Sequence, residues 1–234
     1  MQSIVIPAYN EARVIRESLL KVKRFCGKAA YEVIVVDDGS KDATPSIVRQ
    51  VAKGWKSCRL IRQPANMGKG AAVRAGMLAA KGDRILFADA DMSTPVEELR
   101  KLMRVDADVV LGSRALESSN VQLHQPLYRE LMGKSFNKAV QVLAVPGIWD
   151  TQCGFKLFRR QAAREIFSRA RIDGFGFDVE TLYLARRLGF SVREVGISWF
   201  NNPNSHVHPV KDALRMFRDI FVIHGHALVG NYGD

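Results

Sequence analysis

Two apolar runs in this chain end in paired carboxylates. Val33–Val36 leads into Asp37 and Asp38, and Arg84–Ala88 leads into Asp89, Ala90 and Asp91. On extended backbone, residues two apart point to the same side, so Asp89 and Asp91 would present their carboxylates together. Hard oxygen donors of this kind suit Mg²⁺ or Mn²⁺, ions that keep open positions for water and phosphate oxygens. A run of β-branched and large apolar residues is the mark of a strand covered on both faces, as in a parallel sheet, and such sheets hold ligands at the carboxyl ends of their strands. The two acidic strand ends therefore predict one acidic pocket in which a cation stands between the protein and an anionic ligand.

Other residues suit phosphate. Asn66–Met67–Gly68–Lys69–Gly70 opens a helix and could offer backbone amides and the Lys69 ammonium to a phosphate, or serve as a plain helix-entry loop. It is not a Walker loop, because the GxxxxGK[ST] spacing is absent. Arg114, Arg129 and Lys134 are cations at expected element ends, read either as phosphate forks or as solvated charges. His206 and His208 have no third ligand near them in sequence and read as loop residues, and no GxSxG elbow marks a Ser/His/Asp site.

The elements that must carry these groups alternate as β and α. Strands are expected at Gln2–Ile6, Glu32–Val36, Arg59–Arg62, Arg84–Ala88, Asp108–Leu111 and Val192–Trp199. Helices are expected at Glu11–Phe25, Thr44–Lys53, Ala71–Ala80, from Pro95 to about Arg104, at Pro126–Leu143, from about Gln161, at Phe177–Leu188 and at Val210–Ile223. Asp150–Gly154 reads as a loop. This order predicts an α/β domain with a mostly parallel, Rossmann-like sheet and right-handed crossovers. In the last helix Val210, Ala213, Leu214, Phe217, Ile220 and Phe221 fall on one face, with Lys211, Arg215 and Arg218 opposite. Apolar stripes with basic borders, here and in Pro126–Leu143, are usually core-facing but also suit an anionic bilayer surface.

Bulk properties set bounds. The 234 residues are 47% hydrophobic, enough for one domain with a core, and no stretch approaches the roughly 20 apolar residues of a spanning helix. No signal-peptide pattern precedes the first strand. The net charge of +11 (35 Lys and Arg against 24 Asp and Glu) with a pI near 9.8 calls for an anionic partner, yet the basic residues are dispersed and form no nucleic-acid motif, so no nucleic acid is expected. Cys26, Cys58 and Cys153 are too far apart to read as a metal or redox motif and are expected to be free thiols.

Taken in order, SIVIPAYNEA, YEVIVVDDGSKD, NMGKGAAVRAG, FADADMS, LGSRA, DTQCGFKLF and FDVETLYLARR resemble the inverting GT-A glycosyltransferases of family 2 over residues 3 to about 223. Within that family the chain looks most like the dolichyl-phosphate glucosyltransferases, with DTQCGFKLF separating them from the related dolichyl-phosphate mannose synthases. The resemblance implies a GT-A domain over 1–223, with a nucleotide-sugar and metal half (1–114), an acceptor half (115–223) and a tail (224–234). It implies transfer of a sugar, glucose from UDP-glucose, to a polyprenyl phosphate with inversion. GDP-mannose as donor, another acceptor, or a nucleotide-sugar binding module without turnover are the alternatives. By motif match Pro7, Tyr9, Glu11 and Asp38 would hold the nucleotide, with Lys69 nearby, and Asp89 and Asp91 the ion on the diphosphate. Arg114 and Arg129 would receive the acceptor phosphate, and Asp150 and Asp178, with Glu180 as a further candidate, would line the acceptor side. Two positions depart from the pattern: Ser93 stands where the mannose synthases usually have Gln, and Ser205–His206 where many members have Ser-Lys. Relatives often carry a membrane anchor or work with a membrane partner; here peripheral contact at the cytoplasmic face is expected.

Overall fold

The computed structural model describes residues 1–122, 138, 140–200 and 209–233, with 122 and 209–213 described by backbone alone. Seven strands form one sheet in the order β3-β2-β1-β4-β7-β5-β8. They are β1 (Gln2–Ala8), β2 (Tyr31–Asp37), β3 (Cys58–Arg62), β4 (Arg84–Ala88), β5 (Val109–Ser113), β7 (Phe155–Arg159) and β8 (Val192–Gly196). β6 (Asn120–Gln122) and β9 (Ser198–Phe200) pair separately in parallel. Every neighbour in the large sheet is parallel except β7, which runs antiparallel to both β4 and β5. The mostly parallel α/β sheet agrees with the expectation; its antiparallel central strand does not follow from βα alternation and was not expected.

The strands alternate their side chains between two cores, as the pleat requires. Val5, Ile34, Val36, Phe87 and Leu111 pack toward α3 (Lys69–Ala79), α5 (Arg160–Arg169), α6 (Phe177–Arg187) and α7 (Pro209–Leu228). Ile4, Ile6, Val33, Val35, Leu86 and Val110 pack toward α1 (Ile15–Cys26), α2 (Thr44–Ala52) and α4 (Leu99–Met103). Burial on both faces explains why β2 and β4 read as continuous apolar runs. All three cysteines are buried free thiols, and burial pushes Cys26 and Cys58 up to about 11.

Three expectations change. The helix expected from Pro95 begins as a 3₁₀ turn, Val96–Glu98. The strand expected over Val192–Trp199 breaks at Ile197 into two strands in different sheets. Residues 224–233, read as a tail, are helical to Leu228, and Tyr232 is buried with its hydroxyl donating to Glu180 Oε1 at 2.8 Å. The helix expected at Pro126–Leu143 lies mostly outside the described residues, which are helical at 138 and 140–143. No helix among the described residues is long and apolar enough to cross a membrane.

Candidate active site

Because β2, β1 and β4 are adjacent and parallel, with Ala8 in register with Asp37 and Val5 with Phe87, their carboxyl ends open on one edge. That edge is the floor of a cavity of about 1010 Å³. Pro7, Tyr9, Glu11, Asp38, Lys69, Asp89 and Asp91 all line it, so seven residues expected at a nucleotide and metal site converge there.

Asp89 sits on β4's exit turn, where its N–H donates to the Gly154 carbonyl at 3.0 Å and Met92, at φ 50°, closes the turn back onto it. A Cβ at Gly154 would lie 1.8 Å from Asp89 Oδ2, so the carboxylate occupies space that only glycine leaves. Gly154→Ala is therefore expected to push Asp89 out of place, and Mn²⁺ titration should show affinity falling at least about tenfold while the protein stays folded. Asp91 Oδ1 accepts the Ser93 N–H at 3.0 Å. No three acidic, His or Cys side chains gather as a metal site among the described residues. Two carboxylates opening on a cavity still fit a Mg²⁺ or Mn²⁺ whose other ligands are phosphate oxygens and water. Asp89 already holds a cation, since Lys69 Nζ lies 2.7 Å from its Oδ1. Burial disfavours the Lys69 ammonium, but Asp89 and then Asp178 hold it above its ordinary pKa.

The glycine-loop amides on either side of Lys69 are taken by protein oxygens. Asp38 accepts the amides of Met67 at 2.8 Å and Gly68 at 2.9 Å. The amides of Gly70 and Ala71 go to the Asp173 carbonyl at 2.7 and 3.3 Å. Gly68, at φ 105°, passes so close to Asp173 that a Cβ would meet its carbonyl at 2.3 Å. Lys69 alone in this loop turns a charge into the cavity beside Asp89. Asp38 thus lines the site and also locks the loop, and burial raises its pKa.

The acceptor-side residues are placed differently from expectation. Asp150 is 1% exposed and meets Arg114 in a two-pronged ion pair, Nε to Oδ2 at 2.7 Å and a terminal nitrogen to Oδ1 at 2.8 Å. Neither residue lines the cavity. The guanidinium lies 5.3 Å from the Trp199 ring centre, and Glu194 fixes the loop by accepting the amides of Trp149 and Asp150. Burial works against the Asp150 charge, but Arg114 outweighs it and holds the carboxyl below the usual range. A depressed folded pKa contributes stability above the unfolded value, about 4, that is lost as pH falls through the folded one. Thermal melts from neutral to acid pH should therefore show a steeper loss for the wild type than for Asp150→Asn.

Asp178 is buried in an ion pair with Lys156 Nζ, which also donates to the Cys153 carbonyl at 2.7 Å. Burial raises its pKa. Glu180, fully buried, accepts the amides of Arg171 at 2.8 Å and Ile172 at 2.9 Å. It is a clamp on the loop that walls the cavity. In this structure Asp150, Asp178 and Glu180 all hold other protein groups. Arg129 and Lys134 lie outside the described residues.

The sequence reading missed the far wall. Arg171, Phe175, Arg215, Arg218, Asp219 and His226 all line the cavity. On α7 lining residues fall at the spacing 215, 219, 222 and 226, one helical face, of which the sequence reading had placed only Arg215, opposite the apolar stripe.

A mostly parallel α/β sheet whose adjacent strand ends hold two acidic turns over one large cavity defines the GT-A class of glycosyltransferase fold. Consistent with this, crystal structures of glucosyl-3-phosphoglycerate synthase from Mycobacterium tuberculosis superpose over the whole chain and 80% of that protein, with a TM-score of 0.67 at 19% identity; one holds Mn²⁺, UDP and glucosyl-3-phosphoglycerate. S. aureus TarS 1–349 in complex with UDP-GlcNAc matches over 95% of this chain and 66% of its own, with a TM-score of 0.60 at 18% identity. The profile of Glycosyl transferase family 2 matches residues 3–167. The chain belongs to that family. It is 36% identical to the dolichyl-phosphate beta-glucosyltransferase of Dictyostelium discoideum, across 97% of this chain and 75% of that protein, and 35% identical to the human enzyme of the same name, across 97% and 76%.

Proposed function

We propose that this chain transfers glucose from UDP-glucose to the phosphate of a dolichyl-type polyprenol, with inversion and with Mg²⁺ or Mn²⁺ at Asp89 and Asp91, as a peripheral enzyme on the cytoplasmic face of a membrane. The observation that carries this reading is the meeting of Pro7, Tyr9, Glu11, Asp38, Lys69, Asp89 and Asp91 in one cavity. The relatives' shared name supports sugar and acceptor, and the UDP and Mn²⁺ held by structural neighbours support nucleotide and ion. A net charge of +11 favours the anionic cytoplasmic leaflet.

The chemistry asks for orientation more than for a base, because a lipid phosphate is already anionic at neutral pH. That agrees with finding Asp150 paired with the part-exposed Arg114 and Asp178 with the buried Lys156. Pro7, Tyr9 and Glu11 flank the nucleotide, Asp38 holds the glycine loop beside it, and Lys69 donates to the diphosphate. A bound divalent ion supplies neutralisation of the charge that develops on the departing nucleoside diphosphate.

Turnover of UDP-glucose on a polyprenyl phosphate in detergent, with GDP-mannose in parallel and with EDTA added, tests the reading. Glucosyl lipid that disappears with EDTA is expected; mannosyl lipid would overturn the donor, and no product with either would overturn the acceptor.

A further inference from the structure

The loop between α5 and α6 is held from two sides, and Arg171 to Phe175 within it line the cavity without interruption. On the inner side the Asp173 carbonyl takes the N–H groups of Gly70 and Ala71, which lie in the first turn of α3 and have no partner within that helix. The Asp173 carboxylate also pairs with Arg74 of α3. Phe175 sets its ring centre 5.7 Å from Lys69 Nζ, and the Phe87 ring centre stands 5.6 Å from the same ammonium. The loop therefore fixes both the helix end that carries Lys69 and one of the two rings that flank its charge.

On the outer side stands the fully buried Glu180, whose Oε1 takes the Arg171 N–H and whose Oε2 takes the Ile172 N–H. A third donor to this carboxylate comes from beyond α7. That helix turns Asp219, Val222 and His226 to the cavity and buries Met216, Ile220 and Ile223. Leu214, Phe217 and Phe221, expected on one face with Ile220, are exposed instead. After Leu228 the chain turns at Gly230, φ 70°, and brings Tyr232 into the core with its hydroxyl on Glu180 Oε1. In the same turn the Asn231 carbonyl accepts a terminal nitrogen of Arg171 at 3.5 Å, and Asn231 Nδ2 meets His226 Nδ1 at 2.8 Å. A buried carboxylate costs free energy for acceptor sites left empty, so the tyrosine hydroxyl completes a cage that two backbone amides leave short.

We infer that Tyr232 is a positioning residue for the sugar-nucleotide donor: its hydroxyl, acting through Glu180, sets the loop 171–175 and with it the placement of Lys69 against the diphosphate. This deepens the proposed function and rests on it, by naming what holds the donor-binding lysine in place. The path runs from Tyr232 to Glu180, to the amides of Arg171 and Ile172, to the Asp173 carbonyl and so to the first turn of α3. Neither Tyr232 nor Glu180 lines the cavity, so what they do to the donor passes through the loop.

The test compares Tyr232→Phe, which removes only the hydroxyl, with Tyr183→Phe, which removes one from the neighbouring ring 6.5 Å away. UDP binding is measured by calorimetry with Mn²⁺ present, and KM is taken for UDP-glucose and for polyprenyl phosphate. Tyr232→Phe is expected to weaken UDP binding and raise the UDP-glucose KM about three- to tenfold, with the acceptor KM and the fold unchanged, since one hydrogen bond to a buried carboxylate is lost. Gly230→Ala, which strains the turn at φ 70° without meeting any neighbour, should shift both in the same direction. Hydrogen exchange at the Arg171 and Ile172 amides should quicken in both variants. In a Lys69→Met background Tyr232→Phe should weaken UDP binding no further, because its effect travels through the lysine. Tyr183→Phe should leave binding and exchange as in wild type. Unchanged UDP affinity in Tyr232→Phe, with or without faster exchange, would overturn the inference, as would an undiminished loss in the Lys69→Met background or an equal loss in Tyr183→Phe. Wild type that binds UDP and responds to Tyr232→Phe but transfers no glucose would overturn the proposed function and leave the positioning role standing. Wild type that does not bind UDP would overturn both.

Discussion

Asp91→Asn is expected to lower kcat for glucosyl transfer by a factor on the order of 10³, because removing one of two carboxylates strips several kcal/mol of charge stabilisation from the departing diphosphate. Asp91 lines the cavity beyond the exit of β4, so the melting temperature should hardly move. Mn²⁺ titration should lose its site in the same variant, which ties the kinetic loss to the ion. Asp89→Asn should match it in rate but not in structure, since it also removes the partner of Lys69. Turnover retained by Asp91→Asn would sink the metal role of the pair.

The largest effect on stability is expected at Lys156. Its ammonium, 1% exposed, sits on the central strand β7 with Asp178 as partner and the Phe87 ring centre 5.8 Å away, the same ring that Lys69 approaches at 5.6 Å from the cavity. Removing one member of such a pair strands a buried charge, so Lys156→Met should cost about 3 to 5 kcal/mol. In a chain of this size that is a fall in Tm of roughly 6 to 20 °C. Replacing both partners, Lys156→Met with Asp178→Leu, should recover most of it, because the uncompensated charge is gone. A single variant that melts within 2 °C or so of wild type would show that Asp178 is satisfied elsewhere.

This pair also explains where the sequence misled. β2 and β4 are legible because burial on both faces demands unbroken apolar runs, and the two acidic turns are legible because they follow those runs at once. β7 reads Phe-Lys-Leu-Phe-Arg, and a lysine at its second position argues against a central strand unless its partner, 22 residues on, is known. The same blindness to distant partners hid the fates of Arg114 and Asp150, 36 residues apart. Neither could be matched to the other from spacing alone. α7 was recognised as amphipathic, but periodicity alone gives a helix one polar and one apolar side. It cannot say that the fold presents three faces, with core, cavity and solvent sharing the helix.

The antiparallel course of β7 has a consequence for how this molecule comes into being. Among the described residues β5 pairs with β7 and β8, which both follow it in the chain. As the chain grows, β1 to β4 can pair among themselves while β5 waits with both edges open until Phe155–Arg159 is threaded between it and β4. The strand that joins β5 to β4 also carries Lys156 and follows directly on Gly154, so the turn that shapes Asp89 and the strand that links the two parts of the sheet are one continuous segment. A chain that lacks this segment lacks both the partner of β4's free edge and the glycine that makes room for the Asp89 carboxylate.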